Sequence, residues 1–234
     1  MVKAPSSRLA GIVARCVAAA LLVWLLLSAS LVLALRWLPP PTTAIMLEQP
    51  GPMHDLKFVW WDRRQIAATV ARAAIAAEDQ RFLEHHGFDF ESMQRALDDY
   101  RAGDDLRGAS TITQQVAKNL FLWSGRSFVR KALEAYFTVL LEVCWPKQRI
   151  LEVYLNVAEL GAGVFGVEAA AQRFYGIHAS ALSAEQAALL VAVLPNPRRL
   201  RVDEPSAYVR ERQSWILGQM RLLETRGHYR GLDW

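Results

Sequence analysis

The chain has 234 residues, 53% of them hydrophobic, with 27 Lys and Arg against 23 Asp and Glu and two cysteines. Lys3, Arg8, Arg15 and Arg36 carry the whole +4 excess, which leaves 23 basic against 23 acidic residues elsewhere and excludes a general nucleic-acid footprint. Cys16 and Cys144 lie in different phases and have no metal-ligand company, which excludes a disulfide framework and a Cys/His metal site.

Cys16 to Leu35 is an uncharged run of twenty residues between Arg15 and Arg36. As a helix it extends about 30 Å, the thickness of a bilayer's hydrocarbon core. Trp37 follows where an aromatic side chain would meet the interface. The run exceeds the apolar core of a cleaved signal peptide, about 7–15 residues, and therefore predicts a retained anchor over 16–36. Lys3, Arg8 and Arg15 precede it with no acid, so the positive-inside rule places 1–15 in the cytoplasm and the rest outside.

Pro39-Pro40-Pro41 and the Pro/Gly stretch to Pro52 predict a stiff linker over 37–58, followed by one domain over 59–234. Leu56 to Trp61 alternates enough to admit one strand. Asp62 with Gln65 reads as a capping box for a helix through Glu78, lined by Ile66, Val70, Ala73, Ala74 and Ala77. Thr111 with Gln114 is a second box, opening a helix to Leu122. A third helix spans Ser127 to Cys144, and a fourth runs from Lys147 to Leu160 before Gly161. Ser183 with Gln186 caps a fifth that reaches Leu194, where Pro195 and Pro197 stop it. Pro205 sits just inside a last helix, whose Arg210, Arg212 and Arg221 read as a solvated face. The domain is predicted to be all-α.

Three polar blocks interrupt this apolar pattern. Glu78 ends an alanine-rich helix, with Phe82 four residues on. A carboxylate in such company is poorly solvated and suits a general base. As a plain helix-end acid it would pair with Arg81 or His85. Gly108 to Gln115 reads GASTITQQ and leads to Lys118; it is either an anion site at a helix N-terminus or a well-capped helix with a solvated stripe. Arg130 and Glu134 stand one turn apart, which by itself describes an intrahelical salt bridge of a few tenths of a kcal/mol. Between these blocks, Leu120-Phe121-Leu122-Trp123 reads as core or as a membrane-touching patch.

In this order the blocks resemble the peptidoglycan glycosyltransferases of family 51, particularly the monofunctional biosynthetic transglycosylases. E-D-x-x-F-x-x-H-x-G falls on Glu78, Asp79, Phe82, His85 and Gly87, and G-x-S-T-x-x-Q-Q on Gly108, Ser110, Thr111, Gln114 and Gln115. R-K-x-x-E falls on Arg130, Lys131 and Glu134, and I-L-E-x-Y-L-N on Ile150, Leu151, Glu152, Tyr154, Leu155 and Asn156.

The resemblance implies a lysozyme-like helical domain with a small membrane-facing lobe, acting on lipid II and lipid-linked glycan. It implies Glu78 as the base that deprotonates the acceptor's 4-hydroxyl, with Glu134 as the second acid. Lys118 and Arg126 would neutralise the departing pyrophosphate, with Arg130 assisting. Ser110, Gln114 and Gln115 would line the donor cleft, while Glu152 and Asn156 read as structural. No cofactor is obligatory on this reading, although a divalent cation, Mg or Mn, is admissible beside Glu134. The expected location is the bacterial inner membrane, with a single pass and the domain in the periplasm, beside other cell-wall synthesis proteins and without nucleic acid. Two alternatives share the residues: a lytic glycosidase, since lysozyme-like folds with a catalytic glutamate do both jobs, and a non-catalytic membrane-tethered cell-wall scaffold.

Overall fold

The computed structural model describes residues 6–51, 55–103, 110–125 and 127–234, with 6–8 described by backbone alone. The chain divides into two compact units, Met1–Leu38 and Pro39–Trp234. The first is helix α1 (Ser6–Leu35), of which Leu9–Leu35 has a mean hydropathy of 2.6 over its most apolar stretch. Those 27 residues extend about 40 Å, enough to cross a hydrocarbon core with some tilt. The helix starts ahead of the uncharged run because Arg, Ala and Leu are good helix formers, and nothing in that flank breaks it.

The second unit contains, in order, α2 (Ala44–Leu47), β1 (Lys57–Phe58), a 3-10 turn (Arg63–Gln65), α3 (Ala68–Glu78), α4 (Phe90–Arg101), α5 (Ile112–Phe121), α6 (Phe128–Cys144) and α7 (Lys147–Val157). The strands β2 (Glu159–Gly161) and β3 (Val164–Phe165) follow, then α8 (Val167–Tyr175), α9 (Ala184–Ala192) and α10 (Ala207–Thr225). Its axis is α7, in which every residue from Arg149 to Val157 is buried. On one side α5 packs on α6 and α7; on the other α3 and α10 pack on α9. α3 packs on α9, and the buried residues of the two helices are mostly alanines (Ala71, Ala73, Ala74 and Ala76 on α3; Ala187, Ala188 and Ala192 on α9), which favours a close approach.

The buried polar residues of α7 hold the segment that leads into α3. Glu152 accepts a bond from the Arg63 N–H at 2.9 Å and pairs with Arg149 at 2.7 Å. The Asn156 carboxamide closes a two-way bond with the backbone of Trp61, at 2.8 Å in each direction. Both residues are structural here. Gly166 leaves the sheet at φ 82°, and a Cβ there would lie 2.5 Å from the Asn156 carbonyl oxygen, so only glycine fits.

Several sequence expectations shift. The Asp62–Gln65 capping box forms, but it closes only the 3-10 turn. Ile66 then turns extended: its carbonyl accepts from the Trp234 indole at 3.0 Å, and the Ala67 N–H goes to the Ala179 carbonyl at 3.1 Å. With those backbone groups engaged elsewhere, α3 starts at Ala68. The fourth helix stops at Val157 because Ala158 accepts from the Gly166 N–H at 2.9 Å, and the next residues enter a three-stranded sheet. In that sheet β1 lies parallel to β3, and β2 antiparallel to it. Pro205 precedes α10, and Ser206 is the cap. The expected linker is packed rather than free: Met46 of α2 is 3% exposed against α5, and β1 joins the sheet.

Candidate active site

Glu78 is the last residue of α3, whose buried Val70 to Ala76 face fixes where the carboxylate emerges. One carboxylate oxygen accepts from the Gln115 amide of α5 at 2.9 Å, and the other pairs with the Arg212 guanidinium of α10 at 3.2 Å. Gln115 is itself aimed by the Tyr154 hydroxyl, which donates to its carbonyl oxygen at 3.3 Å. Burial pushes the Tyr154 phenol well above its ordinary pKa, and the negative charge of Glu78 adds to this, so the hydroxyl stays a donor.

The next residue does a different job. Asp79 is buried, accepts from the Ile112 N–H at 3.0 Å and bonds the His85 ring at 2.8 Å. Thr111 accepts from the Gln114 N–H at 3.2 Å and donates to the Gly87 carbonyl at 2.7 Å. Gln114, 4% exposed, accepts at its carbonyl oxygen from the Thr111 N–H at 3.0 Å. The first and second polar blocks are therefore one bonded unit. Of the two readings of the second block, the well-capped helix is the one that forms. The α5 N-terminus already has its anion in Asp79, and Gln114 serves the cap while Gln115 faces the carboxylate. Gly87, at φ 86°, leaves no room for a Cβ, which would lie 2.7 Å from Thr138.

Lys118 lies one turn beyond Gln114 on α5 and forms no ion pair among the described residues. Burial pulls its pKa below the ordinary lysine value. The negative charge of Glu134 opposes that, Arg130 adds to it, and Glu78 opposes it again. The ammonium therefore feels both glutamates. Glu134, on α6, is 3% exposed and pairs with Arg130 at 2.8 Å and with Lys131. Both of its oxygens face cations, and among the described residues no group of three or more His, Cys, Asp or Glu side chains gathers to hold a metal. A divalent ion at Glu134 would have to displace Arg130 or Lys131.

Ser110 is exposed just ahead of α5. Gly108 and Arg126 lie outside the described residues. The apolar block resolves mostly as core: Leu120 and Leu122 are buried and Phe121 stacks on Phe137 at 4.4 Å between ring centres, while Trp123 is 44% exposed. A cleft of about 370 Å³ opens beside Gln115 and Lys118.

Sequence reasoning missed Arg212, reading it as part of a solvated face. The signal was present. The buried residues of α10 are Val209, Ile216, Met220 and Leu223, and Arg212 falls on the same stripe at 3.6-residue spacing. A half-buried cation on an apolar stripe is favoured by a nearby carboxylate, and here that partner is Glu78.

The profile of the Transglycosylase family matches residues 46–221, from α2 to the last turns of α10. The chain belongs to the transglycosylase family. It is 55% identical over 210 residues to a biosynthetic peptidoglycan transglycosylase of Stutzerimonas stutzeri, covering 87% of each chain. A protein of the same description from Ectopseudomonas mendocina is 57% identical over 208 residues, covering 86% of each. One from Pseudomonas syringae pv. syringae is 51% identical over 212 residues, with 88% and 90% covered. As a transglycosylase of this group the chain is a peptidoglycan glycosyltransferase, and both Glu78 and the unexpected Arg212 fall inside the matched span.

Proposed function

We propose that this transglycosylase polymerises lipid II into β-1,4 glycan strands, with Glu78 as the base and Lys118 facing the leaving group. Glu78 takes the proton from the acceptor's 4-hydroxyl as that oxygen attacks the anomeric carbon of the growing chain. The bond from that carbon to the pyrophosphate oxygen breaks with inversion, and undecaprenyl pyrophosphate departs. Gln115 and Arg212 aim the Glu78 carboxylate. Glu134, held by Arg130 and Lys131, places negative charge beside Lys118 and favours its protonated form until substrate arrives. Arg126 is assigned to the same leaving group by family resemblance, and Ser110 and Gln115 to the donor cleft.

A single observation carries the reading: Lys118 is a desolvated ammonium without an ion-pair partner among the described residues, in the field of Glu78 on one helix and Glu134 on another. A half-buried cation without an ion pair is unfavourable until an anion meets it, and a pyrophosphate leaving group supplies that anion.

In this reading α1 is a single-pass anchor in the inner membrane, with the N-terminus inside and the domain in the periplasm. The substrate's lipid stays in the bilayer while its sugars enter the cleft. Exposed Trp123, just after α5, and exposed Phe128 and Val129, in the first turn of α6, supply apolar surface.

The test incubates the detergent-solubilised chain with lipid II. The wild type should yield glycan polymer, and Glu78→Gln should yield none while keeping its helical content. Full turnover by Glu78→Gln removes the base. Shortened fragments from preformed strands would report a glycosidase, and no product from the wild type would leave a scaffold.

A further inference from the structure

Three helices share one ionic group that the reaction above does not use. Glu142, in the last turn of α6, has a side chain only 7% exposed. One of its oxygens accepts from the buried Thr113 hydroxyl of α5 at 2.5 Å and from the Lys147 ammonium of α7 at 2.8 Å. The same ammonium lies 4.5 Å from the centre of the Phe82 ring, a buried face in the segment that follows Glu78. Gly87 rests against this carboxylate's stem: a Cβ there would lie 3.0 Å from the Glu142 Cγ.

A nearly buried ion pair is a poor source of stability, because the cost of desolvating two charges offsets most of their attraction. What it supplies is a fixed geometry, and here geometry matters. The other named contact between α5 and α6 is the apolar stack of Phe121 on Phe137 at 4.4 Å, and apolar attraction is non-directional. The Thr113–Glu142 hydrogen bond is directional. Thr113 meets Glu142 while Phe121 meets Phe137, so the two helices run antiparallel, with Lys118 on one and Glu134 on the other. Lys147 extends the tie to α7, whose Tyr154 aims Gln115 toward Glu78.

We infer that Glu142, with Thr113 and Lys147, is a positioning group for the reaction: it sets the register of α5 against α6 and thereby the place of Lys118 at the leaving group. The inference rests on the function proposed above. Glu142 and Lys147 carry opposite charges side by side, so their combined field fades quickly with distance. Their influence on Lys118 passes through the placement of the helices.

The test follows thermal melting and lipid II turnover of the full-length protein in detergent. Lys147→Met leaves a nearly buried carboxylate unpaired and should lower the melting midpoint by about 5–10 °C. The double variant Glu142→Leu/Lys147→Met removes both charges and should bring the midpoint back to within about 3 °C of the wild type. Its kcat should stay about tenfold low, with the KM for lipid II changed less than about twofold. Lys147→Arg keeps the cation and should hold kcat within about threefold of the wild type. Thr113→Val keeps the side chain's shape, removes only the hydroxyl, and should lower kcat about fivefold at unchanged KM. A merely structural pair would instead have kcat follow the midpoint and return in the double variant. Wild-type kcat in the folded double variant, or in Thr113→Val, would overturn the positioning role. With polymer still made by the wild type, that result removes the positioning role alone; a wild type that makes no polymer removes the polymerase reading and this inference with it.

Discussion

Arg212 and Gln115 donate to opposite oxygens of Glu78, and that pair of contacts fixes the orientation of the base. Arg212→Ala should lower kcat for polymerisation by about 10–100-fold, less than the roughly 10²–10⁴-fold that a general base itself contributes, because Arg212 only positions that base. Arg212→Lys should recover part of the loss, because lysine restores the charge without the guanidinium's fork. An alanine variant with wild-type kcat would show that the carboxylate needs no partner on α10. The stretch EDQRFLEHHG made Glu78 legible in the sequence, since an acid at the end of an alanine helix stands out. Arg212 was hidden because arginines at 210, 212 and 221 look alike in one dimension, and only the burial of its neighbours separates it. Lys118 also contributes at this scale. Its pKa is held below the ordinary lysine value by burial, so the folded state is weakened most below that folded pKa, where the amine is charged in both states. The penalty fades as pH rises toward the unfolded value. Lys118→Met should therefore raise the thermal midpoint of the free protein at neutral pH by ~2–4 °C. Inorganic pyrophosphate should stabilise the wild type and leave the variant unmoved.

Among the elements, the decisive joint is the one between α3 and α5. Asp79 carries the peptide N–H of Ile112 and the His85 ring in a buried setting, so α3 ends and α5 begins on one side chain. Asp79→Ala removes a cap and strands two buried donors, which should cost about 2–3 kcal/mol. A shift of the urea midpoint in detergent measures it, and a variant as stable as the wild type would dissolve the joint. All three capping boxes expected from the sequence form, at Asp62, Thr111 and Ser183. Such boxes are local chemistry and can be read locally. The path of the chain beyond a box is a tertiary matter. The Asp62 box closes a single turn because Trp234 and Ala179 capture the next backbone groups from far along the chain. Strand β2 replaces the end of an expected helix for a more local reason, since β3 pairs with it just beyond Ala162 and Gly163 and the Gly166 N–H takes the Ala158 carbonyl. Helix α4 escaped the sequence reading although Asp89 accepts from the Ser92 N–H at 3.0 Å and caps it. The signal was present, because Phe90, Met93 and Leu97 recur at helical spacing, although that face stays exposed in the fold.

Across the whole molecule, the division at Leu38 and Pro39 separates an apolar helix from a helical domain, in which α2 brings Ile45, Glu48 and Gln49 to the cleft. Within the domain, Glu78 of α3 and Glu134 of α6 both act on Lys118 of α5. That meeting of three helices was expected from motif order, but nothing local in the sequence measures it. Its sharpest test is the turnover of lipid II by the full-length chain carrying Lys118→Met, a substitution that keeps most of the side chain's length and removes its charge. Turnover should fall by about 10²–10³-fold with the helical fold intact, the scale on which a single stabiliser of developing charge acts. Wild-type turnover in that variant would contradict the role of Lys118 at the leaving group.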